Sequence, residues 1–340
     1  MTSPLLEVKD LTLHFRLDRH VVVEALDRVN FFINPGEILG LVGESGCGKT
    51  TAARAILGVV PSPPGELVSG QILFQGQDLV QMSPRQLNTT IRGKAITMIP
   101  QDTIASLNPL FTVGTQMLDI MRWKGTQTPT FWSRYSWKRK RQHRSQLIDM
   151  LRQVQIPTPE RQLRKFPHEF SGGQRQRLLI AMALSTHPDL LIADEPTTAL
   201  DVTIQAQILQ LLKRLVRNRG VSVLFITHDL GVVARLCDRV TVMYAGQEME
   251  SAPTASLFSQ PSHPYTQKLL ESLPDPGKEE MAGIPGVVPS LINPPQGCRF
   301  HTRCEFADDT CRQERPPAVC VAPQHTVRCH LYDAQGKRRR

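Results

Sequence analysis

No run of about 18 apolar residues, the length needed to cross a bilayer as a helix, occurs in the 340-residue chain. The best apolar run, LLIAMAL at Leu178–Leu184, is far too short, which excludes a membrane-spanning helix. The N-terminus, MTSPLLEVKD, lacks the basic-then-apolar pattern of a signal peptide, so the chain is expected in the cytoplasm. Cysteine is scarce over most of the length. Two of the seven, Cys47 and Cys237, precede residue 298, and the other five crowd the last 43 residues. In a reducing compartment such a cluster argues for metal rather than disulfides. Hydrophobic residues make up 40% of the chain, enough for one large domain and a smaller one.

Acidic residues are missing from one stretch. Arg122–Arg144 holds eight Lys/Arg and no Asp or Glu, and Lys337–Arg340 adds four cations. Without these twelve, the net charge of +9 becomes −3, so the basicity is two local patches and not a field spread for nucleic acid. The first patch also carries all three tryptophans, Trp123, Trp132 and Trp137. Aromatics beside Lys/Arg suit a membrane–water boundary or a permease surface. A solvated surface loop is the plain alternative.

What is present is phosphate chemistry. EILGLVGESGCGKTTAARAILG reads as an apolar strand (Ile38–Val42), a Gly-rich turn and a helix, and its G-x-x-x-x-G-K-[ST] core is a phosphate-binding loop. The loop runs through Gly43, Glu44, Ser45, Gly46, Cys47, Gly48, Lys49, Thr50 and Thr51. Its glycines let backbone N–H groups curl around phosphate oxygens, and the helix N-terminus adds positive potential. Lys49 supplies a compact charge for the β- and γ-phosphates, and Thr50 a hydroxyl for Mg²⁺. DLLIADEP reads as a buried strand ending in two acids. Asp194 suits Mg²⁺, and Glu195 suits polarising an attacking water. In EFSGGQRQRLLIAMAL, Ser171, Gly172 and Gly173 open a second helix with bare amides. One domain has no need of two γ-phosphate sites, whereas a dimer does.

These motifs, taken in order, resemble the ATP-binding subunits of ABC transporters over essentially the whole chain. The order is P-loop, Gln101 in MIPQD, the signature Ser171-Gly172-Gly173-Gln174, Asp194-Glu195, the D-loop Thr198–Asp201, and His228 in ITHD. The resemblance implies two such chains sandwiching two ATP molecules, each P-loop facing the partner's signature. It implies that His228 contacts the γ-phosphate, that Gln101 joins Mg²⁺ and water to the transporter interface, and that Asp201 belongs to the composite site. It places Phe15 where the family stacks an aromatic on adenine; an ordinary strand residue is the alternative. A coiled-coil insertion of the DNA-acting relatives and a second ATPase unit of the translation relatives are both absent, which leaves nucleic acid out as a partner. A cysteine-rich sensor with an idle Glu195 is the other competing class.

SHPYTQKLLESLP (Ser262–Pro274), SLNP (Ser106–Pro109) and the Cys-rich tail resemble the oligopeptide/dipeptide group. The Arg122–Arg144 segment looks most like its Sap-type branch, linked to antimicrobial-peptide resistance and polyamine movement, although SGGQ and TALD are intact here where a Sap-type relative has degraded versions. The group implies a heterodimer with a second related ATPase, two permease chains, a substrate-binding protein and a place on the cytoplasmic face of the bacterial inner membrane. A homodimer is the alternative.

The expected architecture is α/β: a P-loop ABC ATPase over 1–259, with an antiparallel β portion near the N-terminus and a helical subdomain over about 112–184, then a small Cys-rich C-terminal domain over 260–340. Cys298, Cys304, Cys311 and Cys329 are separated by five, six and seventeen residues, looser than the usual paired zinc spacing. Spacing leaves iron–sulfur, zinc and free structural cysteines open. Resemblance to the oligopeptide group favours a [4Fe–4S] cluster on these four, with Cys320 an extra that could replace Cys311 or Cys329, and with Cys47 and Cys237 unlikely ligands.

Overall fold

The computed structural model describes residues 3–124, 135–198, 200–273 and 283–339. Its strands are β1 (Leu6–Arg16), β2 (Val22–Ile33), β3 (Ile38–Val42), β4 (Gly65–Phe74), β5 (Gln77–Asp78), β6 (Ile96–Ile99), β7 (Leu190–Asp194), β8 (Ser222–Thr227), β9 (Arg239–Tyr244), β10 (Gln247–Pro253), β11 (Ala318–Ala322) and β12 (His325–Arg328). Contacts divide the chain into two compact units, 1–81 with 225–340, and 82–224. The division falls inside β8.

The first unit contains an antiparallel sheet in the order β2-β1-β4-β5. The core-facing residues of β1 are Leu6 and Val8, then Leu11 and Leu13, so the alternation slips once. A register shift between Val8 and Leu11 absorbs the slip. Without it every later side chain would turn to the opposite face. Asp10 adopts a positive φ there, and its N–H is donated to Asn30 Oδ1 at 3.0 Å. Opposite lies Gly70, where a Cβ would come within 2.6 Å of Asp10 O, so only glycine fits.

The same unit holds β3, parallel to β9, followed by β10, β12 and β11 in antiparallel order. All five residues of β3 are buried. Each large side chain there gains about 1.5–3 kcal/mol from burial, which outweighs the ~1 kcal/mol cost of Gly40 in a strand. Glycine at 40 leaves room for the helix Leu230–Leu236 and its C-cap, since a Cβ would press within 3.0 Å of Cys237 Sγ and 3.2 Å of Val233.

The expected separate C-terminal domain is not what the structure has, because residues 260–340 belong to the first unit. β12 pairs with β10 at Glu250↔Val327 and Ser251↔Thr326. Arg299, fully buried, reaches Glu24 on β2 at 2.7 Å. Few apolar side chains of this segment are buried among the described residues: Tyr265, Phe300, Val319 and Val327 beside Cys298 and Cys329. This segment instead extends an existing sheet and threads its arginines into acids of the first strands.

In the second unit β6 and β7 are parallel, Ile96 opposite Leu190 and Ile99 opposite Ala193. Its longer helices are Val113–Lys124, Trp137–Gln153, Gly172–Leu184 and Val202–Arg219. Helix starts follow side-chain caps: Ser136 Oγ accepts from Arg139 N–H, and Asp201 Oδ1 from Ile204 N–H. Gly220, with φ +64°, ends the last helix after Arg217 and Arg219, cations placed at its negative end. Ile208, Leu211, Leu212, Leu215 and Val216 form that helix's buried face at the 3.6-residue period.

Candidate functional site

The phosphate loop leaves the end of β3 as a run of special backbone. Gly43, Gly46 and Gly48 have φ of +150°, +79° and +102°. A Cβ on Gly43 would lie 2.0 Å from Met243 O, and one on Gly48 2.8 Å from Ala25 O, so two of the three glycines are demanded by space as well as conformation. Lys49 opens the helix Lys49–Ile56, and its buried Nζ donates to the carbonyls of Gly43 at 2.8 Å and Glu44 at 3.0 Å. The ammonium is thereby held across the loop. Thr50 and Thr51 follow, half-buried, in the first helical turn, while Ser45 and Gly46 are exposed.

Cys47 is buried, and burial pushes its thiol up. Its carbonyl accepts the Gly246 N–H at 3.0 Å, tying the loop to the β9–β10 turn. Phe15 is half-buried on β1, opposite Val23 and Gly65. His228 is exposed just past β8, and Asp229 caps the next helix through Val232 N–H.

The loop also has partners that reading the sequence missed. Glu44 N–H donates to Tyr265 Oη at 3.0 Å. The Glu44 carboxylate receives both terminal nitrogens of Arg303, at 2.7 and 3.1 Å. Tyr265 packs against Tyr244 and Phe300 with ring centroids 4.7 and 5.3 Å away, all three fully buried. A signal was available: an acid inside a phosphate-binding loop calls for a counter-charge, and Arg303 stands beside Cys304 in a segment already singled out.

In the second unit Asp194 is buried at the end of β7, and Glu195 follows with a left-handed φ of +45°. Such strain concentrates at functional positions. Gln101 Nε2 donates to Glu195 Oε2 at 3.0 Å, and Thr198 Oγ1 donates to the same oxygen at 3.0 Å. The carboxylate is therefore aimed by two side chains. Ser171 and Gln174 form a reciprocal capping box at the start of Gly172–Leu184. A Cβ on Gly173 would lie 2.8 Å from Ile204. Asp201, expected at the composite site, serves its own helix as cap.

Of the clustered cysteines, Cys298 and Cys329 are buried, and Cys304 and Cys311 half-buried. Cys298 N–H donates to Cys311 O at 2.8 Å. Burial pushes the Cys298 thiol up to about 12 and that of Cys329 up to about 11, each also raised by its neighbouring cysteines. Among the described residues no group of three or more His, Cys, Asp or Glu is arranged to hold a metal ion, so neither zinc nor an iron–sulfur assignment draws support from that geometry.

Comparison with known proteins places this geometry. An ABC transporter family model matches residues 26–198, from β2 through the P-loop, signature and Asp194-Glu195 to Thr198. The chain belongs to the ABC transporter family. A second model, the oligopeptide/dipeptide transporter C-terminal region, matches 249–311. The chain is 47% identical over 328 residues to a probable peptide ABC transporter ATP-binding protein of Sinorhizobium fredii, covering 96% of this chain and 94% of that one. It is 46% identical to the oligopeptide transport ATP-binding protein OppD of Bacillus subtilis, over 96% and 88% of the two chains. It is 42% identical to the dipeptide transport ATP-binding protein DppD of Escherichia coli, over 96% of both.

Among solved structures, the dimeric post-hydrolysis structure of the ATP-binding cassette MJ0796 bound to ADP and Pi aligns with TM-score 0.61 and 26% identity, over 73% of this chain and 98% of that one. This ABC chain is an ATP-binding subunit of the oligopeptide/dipeptide type, an ATPase coupled to transport. No helix among its described residues is long and apolar enough to cross a membrane.

Proposed function

We propose that this ABC subunit hydrolyses MgATP to drive peptides through a membrane permease. The observation that carries the reading is the full-length similarity to ATP-binding proteins named for peptides, oligopeptides and dipeptides, together with an intact Glu195 held by Gln101 and Thr198. Gly43–Thr51 holds the phosphates, Lys49 supplies the charge between β and γ, and Phe15 stacks on adenine. Glu195 takes up proton density from the attacking water. His228 and the signature Ser171-Gly172-Gly173 meet the γ-phosphate, the signature from the opposite subunit. Thr50, Gln101 and Asp194 offer a hydroxyl, an amide carbonyl and a carboxylate, the hard oxygen set that Mg²⁺ prefers. With its N–H donated to Glu195, the Gln101 amide keeps its oxygen for the cation. When bound, Mg²⁺ neutralises charge that builds between the β- and γ-phosphates.

The complex we infer contains a second related ATPase, two permease chains and, outside, a substrate-binding protein, with this subunit peripheral on the cytoplasmic face. Trp123 and Trp137 are exposed in the basic segment, as a partner-facing surface requires, whereas Trp132 lies outside the described residues. That segment is the sole basis for the Sap-type branch and a polyamine cargo. The similar proteins are named for peptides, and peptide is the cargo assigned. Residues 1–259 carry the ATPase function and 260–340 the appended segment.

Within that segment, Cys298, Cys304, Cys311 and Cys329 are the residues that would hold a [4Fe–4S] cluster. Cys298 and Cys329, whose thiols are raised by burial and by Cys304 and Cys311 beside them, are the buried pair of the four that a four-thiolate cluster would use. Cys320 is exposed on β11, its Sγ against Ala322 O at 3.1 Å, which argues against it as a ligand. A cluster there would serve structure, stapling short loops.

Uptake of labelled di- and oligopeptides against labelled putrescine, in cells carrying or lacking this subunit, tests the cargo. Peptide uptake should depend on the subunit. Dependence of putrescine uptake alone would overturn the assignment.

A further inference from the structure

The structure assigns Arg303 a role in ATP binding: it positions the phosphate loop through Glu44. Three polar groups of Glu44 are engaged at once. The carboxylate takes the Arg303 fork at 2.7 and 3.1 Å, the N–H goes to Tyr265 Oη at 3.0 Å, and the carbonyl accepts Lys49 Nζ at 3.0 Å. Glu44 is thus a relay, with the appended segment on one side and the phosphate-binding lysine on the other. If Glu44 rotates, the carbonyl that orients Lys49 moves with it.

Arg303 is built for holding rather than for solvent. Nε donates to Pro285 O at 2.9 Å, Nη1 to Glu44 and to Tyr244 Oη at 3.2 Å, and Nη2 to Glu44 and to Ile284 O at 3.0 Å. Five N–H groups meet five acceptors, the full capacity of a guanidinium. The side chain is buried, with Gly286 tight against it: a Cβ there would lie 3.0 Å from Arg303 Cγ. Because desolvated charge-assisted bonds are roughly twice as strong as neutral ones, this fork outweighs the single tyrosine contact. Lysine has three donors on a point charge and cannot reproduce the fork.

The neighbouring Arg299 reaches Glu24 and Asp27, flanking Ala25 and Leu26, on which Gly48 sits. The appended segment therefore touches the phosphate loop's first residues directly and its last glycine through β2. An ATPase core lacking this segment would have to hold its loop differently.

The inference rests on Gly43–Thr51 being the nucleotide site, which Lys49→Ala tests by itself. The experiment measures Kd for MgATP on the full chain and KM and kcat in the assembled transporter. The variants are Arg303→Lys, Arg303→Met, Glu44→Gln and the Arg303→Met/Glu44→Gln pair. Each single variant should weaken MgATP binding about tenfold, the scale of a lost charge-assisted pair. KM should rise while kcat at saturating ATP holds, the pattern of lost ground-state binding. The double variant should be no worse than the worse single, because both remove one interaction.

A merely structural role would lower the melting temperature and leave Kd per folded molecule unmoved. Should Arg303→Met fail to fold, Arg303→Lys and Glu44→Gln carry the test. Parental Kd in both, or additive losses in the pair, overturns the inference. Unchanged binding in Lys49→Ala would instead overturn the nucleotide site.

Discussion

Gln101 and Glu195, ninety-four residues apart in sequence, share a hydrogen bond of 3.0 Å between the amide nitrogen and the carboxylate Oε2. Thr198 donates to that same oxygen at 3.0 Å. A carboxylate whose one oxygen is held in this way presents the other in a defined direction, which is what a group that polarises water requires.

Glu195→Gln should keep MgATP binding and lose about a hundredfold or more in turnover, the scale of a removed general base. Gln101→Ala should cost less, since Thr198 still orients the carboxylate. Single-turnover hydrolysis in the assembled complex makes the measurement. Parental turnover from Glu195→Gln would remove Glu195 from the chemistry.

His263 gives the first unit a weakness to acid. Burial pushes its imidazole from the ordinary 6.5 down to about 4, and the nearby Glu250 carboxylate opposes the shift without cancelling it. The neutral ring accepts the Tyr265 N–H at Nδ1, 3.0 Å away. Between pH 6.5 and 4 the unfolded histidine binds a proton that the folded one refuses, so stability falls as pH falls through that window and levels below it. The loss is about 3 kcal/mol for one buried histidine. Glu250 acts in the same direction. Burial alone would raise it, but bonds from His325 and the N–H groups of Ser262 and His263 bring it below its ordinary value, so its contribution also disappears in acid. Urea unfolding at pH 7 and pH 5 should show the loss in the parent and a shallower one in His263→Asn, whose amide oxygen still accepts the Tyr265 N–H. Equal slopes in the two proteins would refute this account.

What the sequence makes legible is what is local. An apolar strand followed by GESGCGKT identifies β3 and the phosphate loop because strand, turn and helix are contiguous. Likewise, LLIADEP shows a buried strand ending in two acids. The bond between Gln101 and Glu195 is invisible, although both residues are conspicuous, because pairing across ninety-four positions leaves no periodic trace. The fold-back of the C-terminal segment is hidden for the same reason. Arg299 meets Glu24 across 275 positions and Arg303 meets Glu44 across 259. A composition change and five cysteines read as a separate domain, yet the segment lacks the apolar residues to close a core and spends its arginines on the first unit instead. The slip in β1 at Asp10 is a third case, since a one-residue shift is written only in the interrupted spacing of Val8 and Leu11.

The cysteines supply the last expected outcome. Cys298 lies three residues before His301, whose Nδ1 contacts its carbonyl at 2.8 Å, and Cys304 follows that short 3₁₀ turn, so the first two thiols share one rigid corner. Cys311 is tied to the same corner by the Cys298 N–H. Cys329 follows β12, which is anchored on β10. In the free thiol form, burial holds Cys298 and Cys329 protonated at neutral pH, and a cluster on them would have to offset the cost of forming their thiolates. Protein purified without oxygen should be brown with broad visible absorbance. Cys304→Ser should bleach it, and Cys320→Ser, altering an exposed strand residue, should not. Colourless anaerobic protein carrying zinc, or bleaching by Cys320→Ser with colour retained in Cys304→Ser, would displace the four-cysteine cluster.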